Sequence, residues 1–177
     1  MEFPRNINNV PWEQTAHAYN MKIPNVYFAP EDLEDEDLMA LLISLKVMGC
    51  YIWIPLDSYD FLRQFPYIRD LNIRLGNTIK NLDFLARLKE CSMLFLHDVH
   101  LENLDVILDA KASKETSTMG GFRCVGLHNC SVKDLSRFEK EKHYFSEFLI
   151  WNTKHKNERE KWKVISAGTW RYYEIED

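Results

Sequence analysis

The sequence predicts an α/β fold assembled from repeated strand–helix units, and three observations carry this prediction. Five short apolar segments recur, with starting positions 21, 21, 31 and 23 residues apart. All five alternate in the same phase, and a helical pattern follows most of them. Self-similarity at a fixed period is typical of repeat proteins, in which each unit covers the hydrophobic face of its neighbour.

The five segments are predicted to be β-strands because their side chains alternate with a period of two. Since the phase is shared, one set of side chains is expected to face a common core. The segments are Tyr51–Pro55, Asn72–Gly76, Met93–His97, Cys124–His128 and Glu147–Trp151. The side chains expected in the core are Ile52, Ile54, Ile73, Leu75, Leu94, Leu96, Val125, Leu127, Phe148 and Ile150.

Helices are predicted between the strands from the spacing of apolar residues. Asp57 or Ser58 is suited to cap a short helix that Pro66 ends, and Ser131–Asp134 resembles a capping box. Further helices are predicted at Asn81–Leu88 and Asn103–Leu108, after Asp134 with Leu135 and Phe138 buried, and from about Glu31 to Met48.

The chain is predicted to form a single domain over residues 25–177, preceded by an N-terminal arm or cap over residues 1–24. Asn25–Ala29 and Thr169–Glu174 are expected to be outer strands of the same repeat. The polar stretch 111–121 ends in Gly-Gly and lengthens one interval, so it is predicted to be an inserted, exposed loop.

The stretch Ile68–Asn77 and the polar residues that follow the strands resemble leucine-rich repeats. The resemblance implies about five to seven degenerate units, with parallel strands on a concave face and helices on the other side. In that family an Asn after each strand hydrogen-bonds the backbone in a ladder. Here one residue, rather than two, separates the last apolar strand position from the corresponding residues, which are Asn77, Asp98, Asn129 and Asn152.

The outward strand positions are predicted to bind a protein partner. Stacking the segments by their starting positions puts Trp53, Arg74 and Phe95 in one column, with His97 and His128 in the next. Aromatic residues with Arg are typical of interface hot spots. The alternative is that the N-terminal arm or a second copy covers this face. The predicted protein-binding residues are Tyr51, Trp53, Arg74, Phe95, His97, His128 and Trp151.

An enzymatic function is the alternative hypothesis, as a small metal-dependent or hydrolytic enzyme that uses His97, His100 and His128. Stacked His97 and His128 side chains could share a zinc ion, but surface histidines are the favoured interpretation. The sequence contains no GxSxG, GxGxxG, HExxH or Walker motif. No catalytic residue, metal ligand or cofactor is therefore assigned.

Composition restricts the class of partner and compartment. The formal net charge of −5 argues against non-specific binding to nucleic acid or anionic lipid. No apolar run approaches the length of a membrane span, and the N-terminal residues lack the apolar stretch of a signal peptide. The four cysteines form no CxxC pair. A cytoplasmic monomer or weak homodimer is the expectation.

Overall fold

The computed structural model describes residues 25–76, 82–113, 122–141, 147–151 and 171–172. In these ranges the chain forms an α/β fold on a seven-stranded sheet in which every pair of neighbouring strands is parallel, as predicted for the fold class. The predicted arm over residues 1–24 lies outside the described residues. So does most of the predicted loop, of which residues 111–113 belong to a helix.

Each strand of the main sheet pairs with the preceding and the following strand of that sheet. Parallel neighbours require a crossover connection, so all strands of the main sheet begin at the same end of the sheet. The strands are β1 (Asn25–Tyr27), β2 (Gly49–Ile52), β3 (Asp70–Arg74), β4 (Met93–His97), β5 (His100–Leu101), β6 (Cys124–His128), β7 (Ser131–Val132), β8 (Glu147–Trp151) and β9 (Arg171–Tyr172). The main sheet has the order β1-β2-β3-β4-β6-β8-β9, and β5 pairs with β7 in a second, two-stranded sheet.

The helix predicted from Glu31 to Met48 is interrupted at Asp35. A 3₁₀ helix covers Pro30–Glu34, and α1 covers Glu36–Ser44. Asp35 is extended, with φ −90° and ψ 94°, and its carboxylate accepts a hydrogen bond of 2.9 Å from the Leu38 amide. Asp35 is therefore the N-cap of α1, which is a role that Asp favours.

Two predicted helices are short 3₁₀ helices, at Asp60–Gln64 and Asp83–Arg87. A three-residue spacing of buried side chains starts in each of these helices and continues through the following loop into the next strand. The two buried series are Leu62, Phe65, Ile68 and Leu71, and Leu85, Leu88, Cys91 and Leu94.

The predicted capping box at Ser131–Asp134 is wrong. Ser131 belongs to β7 and pairs with His100 of β5, so it is not available to cap a helix. Helix α2 covers Asp105–Ser113 and helix α3 covers Ser136–Glu141. Asp134 caps the latter instead, since its carboxylate accepts a hydrogen bond of 2.8 Å from the Ser136 amide.

The inward strand phase is confirmed at nine of the ten predicted core positions. Ile73, Leu94, Leu96 and Val125 are completely buried, and the others are at most 3% exposed. Ile54 is the exception at 52% exposed, because β2 ends at Ile52 and the chain leaves the sheet. Leu135 and Phe138 are buried as predicted.

The predicted columns are wrong by two residues between β3 and β4. Arg74 pairs with His97, whereas the starting positions placed it beside Phe95. The register partners along the sheet are 24, 21, 23, 31, 23 and 22 residues apart. A two-residue shift keeps every side chain on its face. The error therefore left the predicted set of core residues unchanged, although it changed the neighbours on both faces: Ile73 lies beside Leu96 rather than Leu94, and Arg74 beside His97 rather than Phe95.

Candidate functional site

The corrected register brings together a row of polar and aromatic side chains at the C-terminal ends of the strands. Arg74, His97 and His128 are successive register partners on β3, β4 and β6. Trp53 directly follows β2. The backbone of Trp151 continues the row as the partner of His128, and its side chain lies outside the described residues. We call Arg74, His97 and His128 the histidine row.

The two histidines of the row contact each other through their Nδ1 atoms, which are 3.1 Å apart. In a neutral pair, one Nδ1–H donates and the other Nδ1 accepts. The ring centroids are 5.0 Å apart, and the Trp53 ring packs edge-to-face on His97 at 5.1 Å. His97 is consequently only 8% exposed and His128 is half-buried, so the expectation of surface histidines is wrong for His97.

The environment of His97 favours the neutral imidazole. Burial lowers the pKa of His97 to about 4, and the nearby His128 and Arg74 act in the same direction. Asp98 opposes them. Desolvation and like charges both disfavour the charged form of an imidazole. His97 is therefore uncharged at neutral pH.

Asp98 and Asn129 form matching corners directly after the two histidines. Both have left-handed backbones, with φ of 54° and 53°, which Asp and Asn tolerate better than most residues. Asn129 Nδ2 donates to Asp98 Oδ1, and Arg74 Nε donates to Asp98 Oδ2 at 2.5 Å. Burial alone would raise the pKa of Asp98, but these hydrogen bonds and the charges of Arg74 and His128 together lower that pKa.

The residue after Asn129 is Cys130, which is buried and contacts the backbone next to the corner. Cys130 Sγ donates to the carbonyl oxygens of Leu96 at 3.4 Å and His128 at 3.2 Å. Burial raises the pKa of Cys130 to about 12, so its thiol is protonated at neutral pH.

His100 does not join the other two histidines. It lies on β5 in the second sheet, where its Nδ1 contacts Ser131 Oγ, and it is exposed. Among the residues that the structure describes, no group of three or more His, Cys, Asp or Glu side chains is arranged to hold a metal ion. The histidines of the alternative hypothesis are thus a contacting pair and a separate third residue.

Tyr51 and Phe95 lie in a different row from the histidines, together with Asn72. The Tyr51 hydroxyl donates to Asp70 at 2.9 Å, and its ring stacks on Tyr27 with centroids 4.9 Å apart. Phe95 is half-buried. These contacts hold Tyr51 in place. Because Tyr51 and Phe95 lie one row away from the histidines, the seven predicted binding residues are divided between two neighbouring rows.

Exposed apolar side chains lie at both ends of the parallel strands. Trp53 is 44% exposed and Ile54 is 52% exposed where β2 ends. Tyr67 is 45% exposed and precedes β3, at the opposite end of the sheet. We call Trp53, Ile54 and Arg74 the edge patch, because all three are exposed at the end that carries the histidine row.

Ile54 is the member of the edge patch that sequence reasoning missed. The residue that follows it is Pro55, which has no N–H to continue a strand ladder. That proline was the available signal that β2 ends early. Pro55 lies against Gly76, whose φ is 62° and where a Cβ would be 3.1 Å from Pro55 Cγ.

The chain matches no protein-family model, and a search of curated proteins finds no significant relative. No helix in the described ranges combines the length and apolar character needed to cross a bilayer. Function is therefore inferred from the geometry of the site.

Proposed function

We propose that the chain is a leucine-rich-repeat-like solenoid that binds a protein partner, without catalysis, through its outward strand face. The first support is the pairing order, since each described strand of the main sheet pairs only with its neighbours in sequence. Solenoids are quasi-one-dimensional in this way, because each unit contacts only adjacent units. Five of the six register intervals fall between 21 and 24 residues, within the usual length of such a repeat.

The second support is the cysteine after the β6 corner. Val125, Leu127, Cys130 and Val132 have the spacing L-x-L-x-x-C-x-L, in which the family places Asn or Cys at the ladder position. Cys130 bonds two backbone carbonyls there, across the β4–β6 step. In this unit the residue at the family's ladder spacing is therefore Cys130, one residue beyond Asn129.

The strand order also favours binding over catalysis. Open α/β enzymes bind small molecules where the strand order reverses and adjacent crossovers diverge. The described strands run in sequence order from β1 to β9 without such a reversal. The outward face instead offers a continuous surface, which repeat proteins use for macromolecular contacts.

The observation that carries the proposal is the edge patch. Trp and Arg are among the residues most enriched in binding hot spots. Both are pre-organised here, because the Trp53 ring rests against His97 and the Arg74 guanidinium is bonded to Asp98. Binding would remove little further side-chain freedom, which improves affinity.

The net charge and the buried cysteines indicate the class of partner and the compartment of the proposed complex. The net charge of −5 disfavours nucleic acid as the partner. All four cysteines are buried free thiols, which suits the reducing cytoplasm. We propose a monomer or weak homodimer in its free form.

The test is a binding measurement with a matched control. A partner captured by cross-linking is titrated calorimetrically with wild type, Trp53→Ala and Tyr67→Ala, because Trp53 and Tyr67 are similarly exposed aromatics at opposite strand ends. Trp53→Ala is expected to weaken binding by at least about 2 kcal/mol, and Tyr67→Ala by less than about 0.5 kcal/mol. Equal losses would contradict the proposed location. Concentration-dependent self-association that Trp53→Ala abolishes would identify a second copy as the occupant.

A further inference from the structure

We propose that His97 and His128 bind one divalent transition-metal cation, of the zinc and copper class, through their two Nδ1 atoms. The proposal rests on the contact between these side chains and is independent of the proposed protein-binding function. It assigns a binding site with no catalytic role.

The separation of the two nitrogen atoms already suits a shared cation. They are 3.1 Å apart. Zinc–imidazole bonds of about 2.0–2.1 Å to both would subtend an angle of about 98° at the metal. That angle lies between the right angle of square-planar copper and the tetrahedral angle preferred by zinc. The spacing of the two donors therefore need not change, and each ring turns so that its Nδ1 lone pair points at the ion instead of at the partner nitrogen.

The strand register holds the pair in this position. His97 and His128 are Cα partners at the ends of the adjacent strands β4 and β6. The corners behind them are joined by the Asn129–Asp98 hydrogen bond, and the Trp53 ring packs against His97. A site on regular strands, with packed side chains around it, has well-defined donor positions.

The protonation states are compatible with metal binding at neutral pH. In the metal-free pair one imidazole donates its Nδ1 proton to the other. In the complex that proton resides on Nε2 of the same ring, so both ligands remain neutral imidazoles and no proton is lost from the pair. The low pKa of His97 means that protons compete little with the cation at that ring.

The donor set defines which cations bind. Two imidazoles suit zinc, nickel and copper, and affinity is expected to be greatest for copper. Magnesium and calcium prefer oxygen ligands and are expected not to bind here. The protein supplies two ligands. Because His128 is only half-buried, water can reach the site and complete the coordination.

The experiment is a calorimetric titration of the tag-free, chelator-treated full chain with zinc chloride at about pH 7.5. Wild type is expected to bind one equivalent with a dissociation constant below about 1 mM. Mutating even the residues that hydrogen-bond a metal ligand typically lowers metal affinity by about 10–100-fold. Removing a ligand itself should cost more, so His128→Ala is expected to weaken zinc binding by about 100-fold or more. His100→Ala is the matched control, since it removes an exposed histidine of the second sheet and is expected to change affinity by less than about threefold.

A spectroscopic readout separates ligation from a general effect on folding. Imidazole ¹⁵N spectra of wild type are expected to show both rings as the Nε2–H tautomer after zinc is added, and one ring as the Nδ1–H tautomer before. His128→Asn provides a second variant if His128→Ala fails to fold. Zinc binding that is equally tight in the His128 variants, or absent from wild type up to about 1 mM, would overturn the proposal.

Discussion

A two-residue error in the predicted register of β3 and β4 has different consequences on the two faces of the main sheet. On the inner face, Ile73, Leu96 and Leu127 are register partners and all are completely buried. Any apolar residue of similar size fits that face, so a shift of two residues changes little. On the outer face the same shift decides whether Arg74 lies beside Phe95 or beside His97. The core therefore depends on strand phase, whereas the site depends on register.

The largest effect is expected from the inner face. Replacing Leu96 by Ala should lower the free energy of unfolding by about 2–5 kcal/mol, because it leaves a cavity at a completely buried position. Chemical denaturation measures the change. Phe95→Ala, at the neighbouring outward and half-buried position, should cost less. A larger loss for Phe95→Ala would reverse the assignment of the two faces.

The strand phase could be predicted because its period of two appears in every segment. The register could not be obtained from the strands alone, since starting positions leave a choice between alignments two residues apart. The informative signal lay in the connections. Leu62, Phe65 and Ile68 match Leu85, Leu88 and Cys91 at a constant offset of 23, which is the interval between β3 and β4.

The burial of His97 could not be predicted from its own segment. It arises because Trp53 and His128, which are far from it in sequence, pack against its ring. Only the corrected register shows that Arg74 precedes the histidine pair in the same row. The grouping of the predicted binding residues therefore could not be obtained from the sequence and required the structure.

The second prediction concerns the pH dependence of stability in chelator-treated protein. The pKa of His97 falls from 6.5 to about 4 on folding, so the unfolded chain binds more protons between these values. Stability is therefore expected to decrease as pH falls through this window, by at most about 3 kcal/mol from His97. Comparing wild type with His97→Gln isolates this contribution, since the variant lacks the titrating group. Identical pH profiles would show that His97 is not buried as a neutral imidazole.

A smaller effect is expected at the β4 corner. Asp98→Ala removes the acceptor for Asn129 and Arg74 and places Ala at a φ of 54°, so a loss of about 1–2 kcal/mol is expected. Asp98→Asn should be milder, because Asn tolerates the left-handed backbone and retains an acceptor. Thermal unfolding of the two variants measures the difference. Equal stability of Asp98→Ala and wild type would mean that the corner contributes nothing to the outer face.

The smallest effect is expected at the second sheet, in the exposed ion pair between Lys133 and Glu102. The two atoms are 2.7 Å apart, and both side chains are more than 70% exposed. Exposed pairs contribute about 0–1 kcal/mol, so Lys133→Ala should change stability by less than about 0.5 kcal/mol. A loss comparable to that of Leu96→Ala would show that this sheet is as important to the fold as the inner face.

The most direct test of the account is the backbone register between β3 and β4, on which the histidine row depends. Nuclear Overhauser contacts between backbone protons of the isotope-labelled protein report which residues face each other across neighbouring strands. We expect contacts that pair Arg74 with His97 and His97 with His128, in agreement with the hydrogen bonds from Leu75 N to His97 O and from Asp98 N to His128 O. Contacts that pair Arg74 with Phe95 would contradict the account, because Arg74 would then not lie beside His97 in the histidine row.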